Sequence, residues 1–352
     1  MAQRSKSAQT GEAAFWADQR VLVTGAAGSV GAALCRRLAQ IGCRRLGLLD
    51  HFDHGLLAAA EQVSRLNPDL DIVDLLGDVR DRARLSAHMQ RFAPNVVIHA
   101  AALKHVHLGE RHPGECVLTN LVGARNALAA ACEAGASDFL LVSSDKAAAP
   151  VCVMGAAKRL AELHLRGFVM ERATAMRLKA VRFGNVLGSQ GSVEPRFAAQ
   201  IAVGGPVELT HPDMERFFMS SDQAVELILR VVAHRGGAQA GAYVMDMGEP
   251  TSILALSRAM IAASGRNIDI AITGLRPGEK LREELFDASE SVCESGLAGV
   301  YEVAPASPDA YLTSGDVGVL EEIARGMDDE IVRRRVFAFV DACLGRAARR
   351  AG

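Results

Sequence analysis

Three consecutive residues that can exchange protons, Ser144, Asp145 and Lys146, stand directly after an apolar run in the stretch SSDKAAAPVCVMGAAK. A carboxyl group and an amine side by side can act as a general acid and a general base, provided that Asp145 is protonated and Lys146 is not. Both neutral states are far from what these groups prefer near pH 7. Burial favours them, whereas the attraction between the two charges opposes them. The alternatives are a surface ion pair or an Asp that caps a helix.

A glycine-rich turn, TGAAGSVG from Thr24 to Gly31, lies between a predicted strand and a predicted helix. Gly25 permits the tight turn, Gly28 lets the backbone approach a pyrophosphate, and Gly31 lets the helix pack on the strand. The next predicted strand, RLGLLD, ends in Asp50, nineteen residues after Gly31. At that position a carboxylate can accept hydrogen bonds from both adenosine ribose hydroxyls. The alternative is a solvated Asp on a loop.

The carboxylate of Asp50 also predicts which dinucleotide binds. It repels a 2′-phosphate, and no Arg follows it in HFDHGLL, so we predict NAD rather than NADP. Asp78 ends the third predicted strand, where a side chain commonly meets adenine. The turn and strand-end residues predicted to bind the cofactor are Thr24, Gly25, Gly28, Ser29, Val30, Gly31, Asp50, Asp78, Val79, Ala100 and Ala101.

Strands and helices in alternation must position these residues. Apolar runs recur as RVLVTG, RLGLLD, DIVDLLGD, NVVIHAAA and DFLLVSSD, separated by helical patterns. This rhythm predicts an α/β fold, a Rossmann-type doubly wound parallel sheet with helices on both faces. After AVRFGNVLGS, Gly/Pro-rich pieces predict a smaller C-terminal lobe that is interleaved with the sheet. We expect a flexible lead-in at 1–18, an NAD-binding domain at 19–185, and at 186–352 a mainly substrate-binding lobe with C-terminal helices.

The composition excludes several classes of protein. A formal charge of −2 and an aromatic content of 5% provide neither the basic field nor the stacking surface that nucleic acid requires. The seven cysteines are scattered without a C-x-x-C pair, which argues against a disulfide framework or a zinc site and fits a reducing compartment. No apolar run approaches the roughly 18 residues that span a bilayer, and the first residues lack the apolar middle of a signal peptide. We predict a cytoplasmic protein without membrane insertion or metal.

Eight motifs occur in one order along the chain: TGxxGxxG, HAAALKHV, TNxxG, SSDKA with MGAAKR, RFGNVLGS, GGPVxxTHPxMxRFFM, DMGEP and TGLRPGEK. In this combination, from about Arg20 to Phe286, the chain resembles the UDP-N-acetylglucosamine 4,6-dehydratases of bacterial polysaccharide and glycan synthesis, which are extended short-chain dehydrogenases/reductases. Many members carry a long membrane-spanning front half, and beside them this chain looks like a soluble short form. The resemblance implies UDP-N-acetylglucosamine as the substrate, NAD as the cofactor and a homo-oligomeric protein.

The resemblance also implies a mechanism, in which hydride leaves C4 of the sugar, water is lost across C5 and C6, and the hydride returns to C6. Asp145 is implied as the acid for the 6-hydroxyl and Lys146 as the base at C5. Ordinary members carry a Tyr where this chain has Met154, whose thioether neither donates nor accepts a catalytic proton. Met is typical of a branch that retains the configuration at C5. Ser144 is then implied as the relay for the 4-hydroxyl proton, and Lys158 as the group that holds the nicotinamide ribose.

Further residues are implied as ligand contacts. Asn120 is expected to kink its helix and to steady Lys158, and Lys104 is expected beside the sugar unless it is a structural Lys. Positions that grip the UDP half in relatives correspond to Asn185, Thr210, Arg216, Arg276 and Glu279.

The chain departs from the family pattern in two places. Ala149, Pro150, Val151 and Cys152 replace a mostly polar stretch near the sugar or the cofactor, and Glu194 and Arg196 replace apolar residues. We expect Cys152 to be a packed thiol and not a nucleophile. Two other functions stay open. A nucleotide-sugar 4-epimerase has no use for the Asp–Lys pair, whereas a catalytically inactive NAD-binding protein is favoured by Met154.

Overall fold

The structure, a computed structural model, describes residues 14–326 and 328–345. Most of the predicted lead-in, residues 1–13, lies outside the described residues. Its last part differs from the predicted flexible segment, because Trp16 is fully buried in the core and Phe15 packs edge-on against it with ring centroids 4.9 Å apart. Two large aromatic side chains bury enough apolar area to hold this segment against the sheet.

A nine-stranded sheet forms the centre of the molecule. In chain order its strands are β1 Arg20–Thr24, β2 Arg45–Asp50, β3 Asp71–Leu76, β4 Val96–His99, β5 Asp138–Val142, β6 Arg177–Arg182, β11 Gly241–Met245, β14 Glu290–Glu294 and β15 Val300–Pro305. Across the sheet the order is β3-β2-β1-β4-β5-β6-β11-β15-β14, with parallel pairing from β3 to β11 and an antiparallel hairpin at the far edge. The strand order reverses between β1 and β4, where a crevice opens beyond the carboxyl ends of parallel strands.

Helices cover both faces of this sheet. They are α1 Ser29–Ile41, α2 Asp53–Leu66, α3 Arg82–Phe92, α4 Val106–Arg111, α5 Pro113–Val117, a π-helical turn Leu118–Val122, α6 Gly123–Glu133, α7 Val153–Glu171, α8 Val193–Ala202, α9 Ser221–Ala233, α10 Ile253–Ser264, α11 Ser314–Arg325 and α12 Asp329–Cys343. One core cluster joins α1, α2 and α9 to the sheet, and the other joins α3, α6, α7, α11 and α12. Because both faces are covered, the central strands are mostly apolar and almost entirely buried. The predicted fold class is confirmed.

Helix α7 carries part of the candidate site and is buried on both sides. It packs on the sheet side against the core, and α11 and α12 lie against it from outside. All residues from Val153 to Leu165 are buried as a result. The C-terminal helices therefore fix the position of α7 relative to the strand ends.

A smaller lobe has its own apolar cluster, formed by Phe197, Ile201, Val207, Leu209, Met214 and Ile253. Its short strands pair as β7 Asn185–Val186 with β10 Phe218–Met219, β8 Val207–Leu209 with β13 Ile270–Ile272, and β9 Glu215–Arg216 with β12 Thr251–Ser252. The chain leaves the sheet after β6, returns for α9 and β11, leaves again for α10 and β13, and ends in the β14–β15 hairpin and two helices. The lobe and the sheet are thus interleaved. Among the described residues, no helix combines the length and apolar character needed to cross a bilayer.

Candidate active site

The glycine-rich turn joins β1 to α1 at the point where the strand order reverses. Gly25 has a φ of +70°, and a Cβ there would lie 2.6 Å from the backbone nitrogen of Ala101. A Cβ on Gly31 would lie 2.0 Å from the carbonyl oxygen of Gly25. Glycine at both positions therefore lets the turn pack tightly against neighbouring backbone, directly before the N-terminus of α1, where free N–H groups bind anions. The turn therefore fits a pyrophosphate.

Asp50 ends β2 beside this turn and is buried. Its Oδ2 accepts a hydrogen bond of 2.9 Å from the backbone nitrogen of Ala27, and its Oδ1 accepts one of 3.0 Å from that of Phe52. These bonds aim the carboxylate into a cleft that Asp78, Val79, Ala100 and Ala101 also line. Each carboxylate oxygen retains a lone pair for a ribose hydroxyl. The cleft thus fits the adenosine half of a dinucleotide.

A residue that the sequence reasoning missed lies in the same cleft. The Arg80 guanidinium donates to Asp78 Oδ2 at 2.6 and 2.8 Å and to Glu115 Oε2 at 2.7 Å. Partial burial raises the pKa of Asp78, but the bonds from Arg80 outweigh it and leave that pKa lowered. In the sequence, this contact is indicated by an Asp and an Arg two residues apart just after a strand.

The Ser-Asp-Lys segment forms one turn of 3₁₀ helix after β5. Ser144 Oγ donates to Asp145 Oδ1 at 2.9 Å, and the same oxygen accepts from the backbone nitrogen of Lys146 at 2.8 Å and from its Nζ at 3.0 Å. Asp145 is 1% exposed, and its Oδ2 has no hydrogen-bond partner in the described part of the chain. The structure therefore brings the three residues together through Asp145 Oδ1.

Lys146 has a second carboxylate neighbour that the sequence reasoning did not identify. Glu283 Oε1 lies 3.5 Å from Lys146 Nζ. Burial lowers the pKa of Lys146, but the charges of Asp145 and Glu283 outweigh burial and leave that pKa raised. The attraction of the two carboxylates, which opposes a neutral Lys146, thus exceeds the effect of burial.

Met154 and Lys158 lie one turn apart on α7, and both are buried. Lys158 Nζ donates to the carbonyl oxygen of Val142 at 2.8 Å. Burial lowers the pKa of Lys158 to about 8. Burial, and to a smaller extent the charge of Lys158, lowers the pKa of His99 to about 3. His99 is therefore neutral, and its Nδ1 lies 2.8 Å from Thr24 Oγ1.

Asn120 differs from the expectation in its contacts. It lies in the π-helical turn Leu118–Val122, so the helix is distorted at the predicted place. However, its side chain bonds to the backbone nitrogen and carbonyl oxygen of Leu103, at 2.8 and 2.9 Å, and to Cys116 Sγ at 3.5 Å. Lys158 bonds to Val142 instead. The reason is that a buried Asn satisfies both ends of its amide on one peptide, which steadies the strand-to-helix loop at Leu103.

A cavity of about 480 Å³ gathers most of the predicted residues. Its lining includes Gly25, Gly28, Ser29, Val30, Gly31, Ala100, Lys104, Ser144, Asp145, Lys146, Met154, Lys158 and Asn185. The turn, the Asp–Lys pair and α7 therefore face one space. In the described part of the chain, no three His, Cys, Asp or Glu side chains converge on a possible metal position.

Four residues predicted to grip the UDP half lie outside this lining, in the smaller lobe. Arg216 is buried and donates to the carbonyl oxygens of Leu281 at 3.1 Å and Lys280 at 2.9 Å. The hydroxyl of Thr210, also buried, lies 3.3 Å from the sulfur of Met214. The other two residues are Arg276 and Glu279. The backbone nitrogen of Arg276 donates a hydrogen bond of 3.1 Å to Glu279 Oε2.

Cys152 directly precedes α7 and caps its N-terminus. Its Sγ accepts from the backbone nitrogen of Gly155 at 3.3 Å, and Glu110 Oε1 accepts from that of Val153 at 2.7 Å. Burial raises the pKa of Cys152 to about 11, so the thiol is protonated at neutral pH. A protonated, hydrogen-bonded thiol is a poor nucleophile.

The chain is similar in sequence to proteins named for polysaccharide biosynthesis. The model of the family described as "Polysaccharide biosynthesis protein" matches residues 21–305. The capsular polysaccharide biosynthesis protein CapD of Staphylococcus aureus is 40% identical over 277 residues, 78% of this chain and 46% of CapD. The chain thus spans about half the length of that relative.

Other relatives are named for nucleotide-sugar enzymes. A UDP-glucose 4-epimerase of Rickettsia canadensis is 32% identical over 82% of this chain and 84% of its own length. A UDP-N-acetylglucosamine 4,6-dehydratase (inverting) of Campylobacter jejuni is 34% identical over 65% of this chain and 67% of its own length.

Two solved structures share the fold. The structure of Pen from Bacillus thuringiensis has a TM-score of 0.75 at 30% identity and covers 85% of this chain and 91% of Pen. DesIV of Streptomyces venezuelae, a dTDP-glucose 4,6-dehydratase solved with NAD and TYD bound, has a TM-score of 0.68 at 21% identity and covers 87% of this chain and 95% of DesIV.

Proposed function

The chain belongs to the polysaccharide biosynthesis protein family, and on that basis we propose that it is an NAD-dependent 4,6-dehydratase of UDP-N-acetylglucosamine. The observation that carries the proposal is the buried Asp145–Lys146 pair, with 3.0 Å between carboxylate and amine, in the cavity that the glycine-rich turn also lines. An oxidation alone needs no second acid and base, whereas loss of water from C5 and C6 needs both.

The residues that hold NAD in this proposal are those of the turn and the strand ends. Gly25, Gly28 and Gly31 leave room for the pyrophosphate, Asp50 accepts from the adenosine ribose, and Lys158 holds the nicotinamide ribose. When bound, NAD supplies reversible two-electron oxidation, taking hydride from C4 of the sugar and returning it to C6. The 4-ketone makes the C5 proton acidic, and the remaining steps are proton transfers by this chain.

Ser144 and Asp145 handle the proton of the 4-hydroxyl in place of the missing Tyr. Met154 cannot take part, but Ser144 Oγ is already hydrogen-bonded to Asp145 at 2.9 Å and can pass a proton along that bond. Transfer along that bond protonates Asp145 at Oδ1, and the protonated Asp145 then gives a proton to the departing 6-hydroxyl. Neutral Lys146 accepts the C5 proton. One Asp thus serves as the acceptor in the oxidation and as the acid in the elimination.

Substrate-contact and configuration assignments stay predictions. The substrate contacts are the position of Lys104 beside the sugar and the binding of UDP by Asn185, Thr210, Arg216, Arg276 and Glu279. The domain limits, the cytoplasmic location and the homo-oligomer also stay predictions. Retention at C5 is predicted from Met154, although the Campylobacter relative is named as inverting. Product NMR decides, since an L-arabino sugar contradicts retention.

A nucleotide-sugar 4-epimerase is the second candidate, because a relative with that name matches 82% of this chain. It shares the hydride step but leaves the Asp145–Lys146 pair without a task. The two reactions give different products from UDP-N-acetylglucosamine. A dehydratase makes a 4-keto-6-deoxy sugar that absorbs in alkali, and an epimerase makes only a hexosamine isomer.

Purified protein incubated with NAD and UDP-N-acetylglucosamine, with the product identified by NMR, tests the proposal. We expect the 4-keto-6-deoxy sugar, and we expect Lys146→Ala to abolish its formation. Arg65→Ala is the control, because Arg65 is an exposed charge on α2 that pairs with the exposed Glu61. The proposal fails if the only product is the 4-epimer, or if no turnover occurs although NAD binds; full activity of Lys146→Ala refutes the role of that base.

A further inference from the structure

The ammonium group of Lys146 lies between two buried carboxylates, and the mechanism above uses only one of them. Lys146 Nζ is 3.0 Å from Asp145 Oδ1 and 3.5 Å from Glu283 Oε1. The Glu283 side chain is 5% exposed. Glu283 follows the RPGEK loop of the small lobe. Its carboxylate therefore comes from the small lobe and lies beside the Asp145–Lys146 pair at the edge of the sheet. Such burial of a carboxylate is costly unless the charge has a task or a partner.

Arg216 holds the segment that carries Glu283. Its guanidinium donates to the carbonyl oxygens of Lys280 and Leu281, and its Nη2 lies 3.9 Å from Glu283 Oε1. The carboxylate is therefore placed by the backbone on its N-terminal side and by one cation. It is not a mobile surface group that meets Lys146 by chance.

Four titratable groups interact most directly with the Lys146 amine. They are the carboxylates of Asp145 and Glu283, the guanidinium of Arg216 and the thiol of Cys152. The thiol is neutral because burial raises its pKa. At rest the cluster thus holds two carboxylates around one ammonium, with Arg216 behind Glu283.

The proposed elimination requires a neutral Lys146 at a moment when Asp145 is already protonated. Asp145 has by then received the proton of the 4-hydroxyl through Ser144, so it cannot also take the proton of Lys146. Glu283, at 3.5 Å, is the other carboxylate within reach of the amine.

We infer that Glu283 takes the proton of Lys146 once Asp145 is protonated, and returns it when the turnover ends. The inference rests on the proposed function. Glu283 acts through Lys146 and does not touch the sugar, so it is a positioning residue for the protonation state of the base.

The protons balance over one turnover. The 4-hydroxyl proton passes through Ser144 to Asp145, and the Lys146 proton passes to Glu283. Asp145 then protonates the 6-hydroxyl, which leaves as water, while Lys146 takes the C5 proton. As hydride returns to C6, Lys146 gives that proton back to C5, and Glu283 returns the stored proton to Lys146. Both carboxylates and the amine end as they began.

Burial favours the transfer at the required moment. Lys146 is 17% exposed, and a sugar in the cavity covers that remaining surface. Once Asp145 is neutral, only one carboxylate still holds the ammonium in its charged form. Without water, the Lys146 ammonium and the Glu283 carboxylate lose their solvation. Proton transfer between them removes both charges and leaves a neutral amine beside a neutral carboxyl group.

The test compares Glu283→Gln with Glu284→Gln, its neighbour in the chain, whose side chain is 58% exposed and paired with Lys280 at 3.5 Å. Glutamine cannot store a proton, so Lys146 must lose its proton to solvent before each turnover. We expect kcat of Glu283→Gln to fall at least about tenfold at pH 7 and to recover about tenfold per pH unit as the pH rises. Wild type and Glu284→Gln stay nearly flat over that range, and Glu283→Asp restores part of the flat profile. A loss that is the same at every pH, or no loss, overturns the inference.

A second measurement does not depend on turnover. Labelling of Lys146 by acetic anhydride, followed by mass spectrometry across pH, reports the protonation of its amine. Because one of the two carboxylates that raise the pKa of Lys146 is removed, Glu283→Gln must shift the labelling midpoint to lower pH. An unchanged midpoint overturns the contact. If wild type makes no 4-keto-6-deoxy sugar, the proposed function fails, while the labelling result still decides whether Glu283 controls Lys146.

Discussion

Replacement of Glu162 by Gln should destabilise the protein strongly, because Glu162 is the centre of a buried ionic network that includes Ser143, just before the 3₁₀ turn Asp145–Ala147. Its Oε1 accepts from Ser143 Oγ at 2.6 Å and from Arg182 Nε at 2.9 Å. Its Oε2 accepts from Arg182 Nη2 at 2.6 Å and from Arg159 Nη1 at 3.1 Å. Both arginines are almost completely buried, so water cannot replace the lost carboxylate.

The magnitude follows from the charges that remain. In Glu162→Gln, two buried guanidinium groups share the single carboxylate of Glu290, and the new amide group meets arginine donors. Removing one partner of a buried ion pair costs about 3–5 kcal/mol, and the isosteric change adds no cavity. We therefore expect the free energy of unfolding to fall by about that amount.

Urea unfolding followed by the fluorescence of Trp16, the only Trp and a buried one, measures this loss. The control is Glu61→Gln, which breaks an exposed pair with Arg65 and should cost less than about 0.5 kcal/mol. A loss below about 1 kcal/mol for Glu162→Gln would show that the network does not stabilise the fold.

The pH dependence gives an independent check. Burial raises the pKa of Glu162, but Arg182 outweighs burial and leaves that pKa lowered in the folded protein. A carboxyl group with a depressed folded pKa contributes stability above its unfolded pKa, and this contribution is lost as the pH falls through the folded pKa. The difference between wild type and Glu162→Gln should therefore shrink in acid.

Three further predictions concern single side chains. Asp50→Asn should raise the Kd for NAD about 10- to 100-fold in calorimetric titration, because charged hydrogen bonds to the ribose become neutral ones; an unchanged Kd contradicts the ribose assignment. Between pH 8 and 10.5 the free energy of unfolding of wild type should rise relative to Lys158→Met, because the Lys158 pKa of about 8 in the folded protein lies below the ordinary lysine value of 10.5, so the unfolded chain holds the extra proton. Urea unfolding at several pH values measures it, and parallel curves refute it. Glu110→Gln should speed amide hydrogen exchange in α12, because Arg333 loses its carboxylate partner, and exchange equal to wild type refutes that anchor.

Much of the fold could be predicted because its signals are local. The runs RVLVT and DFLLV have continuous apolar centres, VLV and FLLV, as strands covered on both faces have, and the structure buries these centres. The glycine turn and Asp50 are likewise local, since a strand, a turn and a helix fix their geometry. The same holds for Asp145 and Lys146, whose contact needs only one turn of 3₁₀ helix.

Contacts between distant segments could not be predicted in the same way. Glu283 and Glu284 are adjacent and chemically identical, yet one is buried against Lys146 and the other is exposed. Their segment has neither helix nor strand, so no periodicity distinguishes the inward residue from the outward one. Asn120 shows the same limit, because its place in a helix distortion was predicted but its partner Leu103 depends on how a loop returns.

The two lysines of the site differ in charge behaviour for a reason that only the assembled structure provides. Lys158 is buried and donates to the neutral carbonyl of Val142, so burial dominates and its pKa falls to about 8. Lys146 is also largely buried, but Asp145 and Glu283 face its amine, and its pKa is raised. Burial alone therefore does not produce a neutral base, and the carboxylates must be neutralised before Lys146 can accept a proton. In the proposed mechanism, Asp145 takes a proton from the sugar and Glu283 takes one from Lys146. The Lys146 amine then faces no charged carboxylate of this pair, as the Lys158 amine faces the neutral carbonyl of Val142.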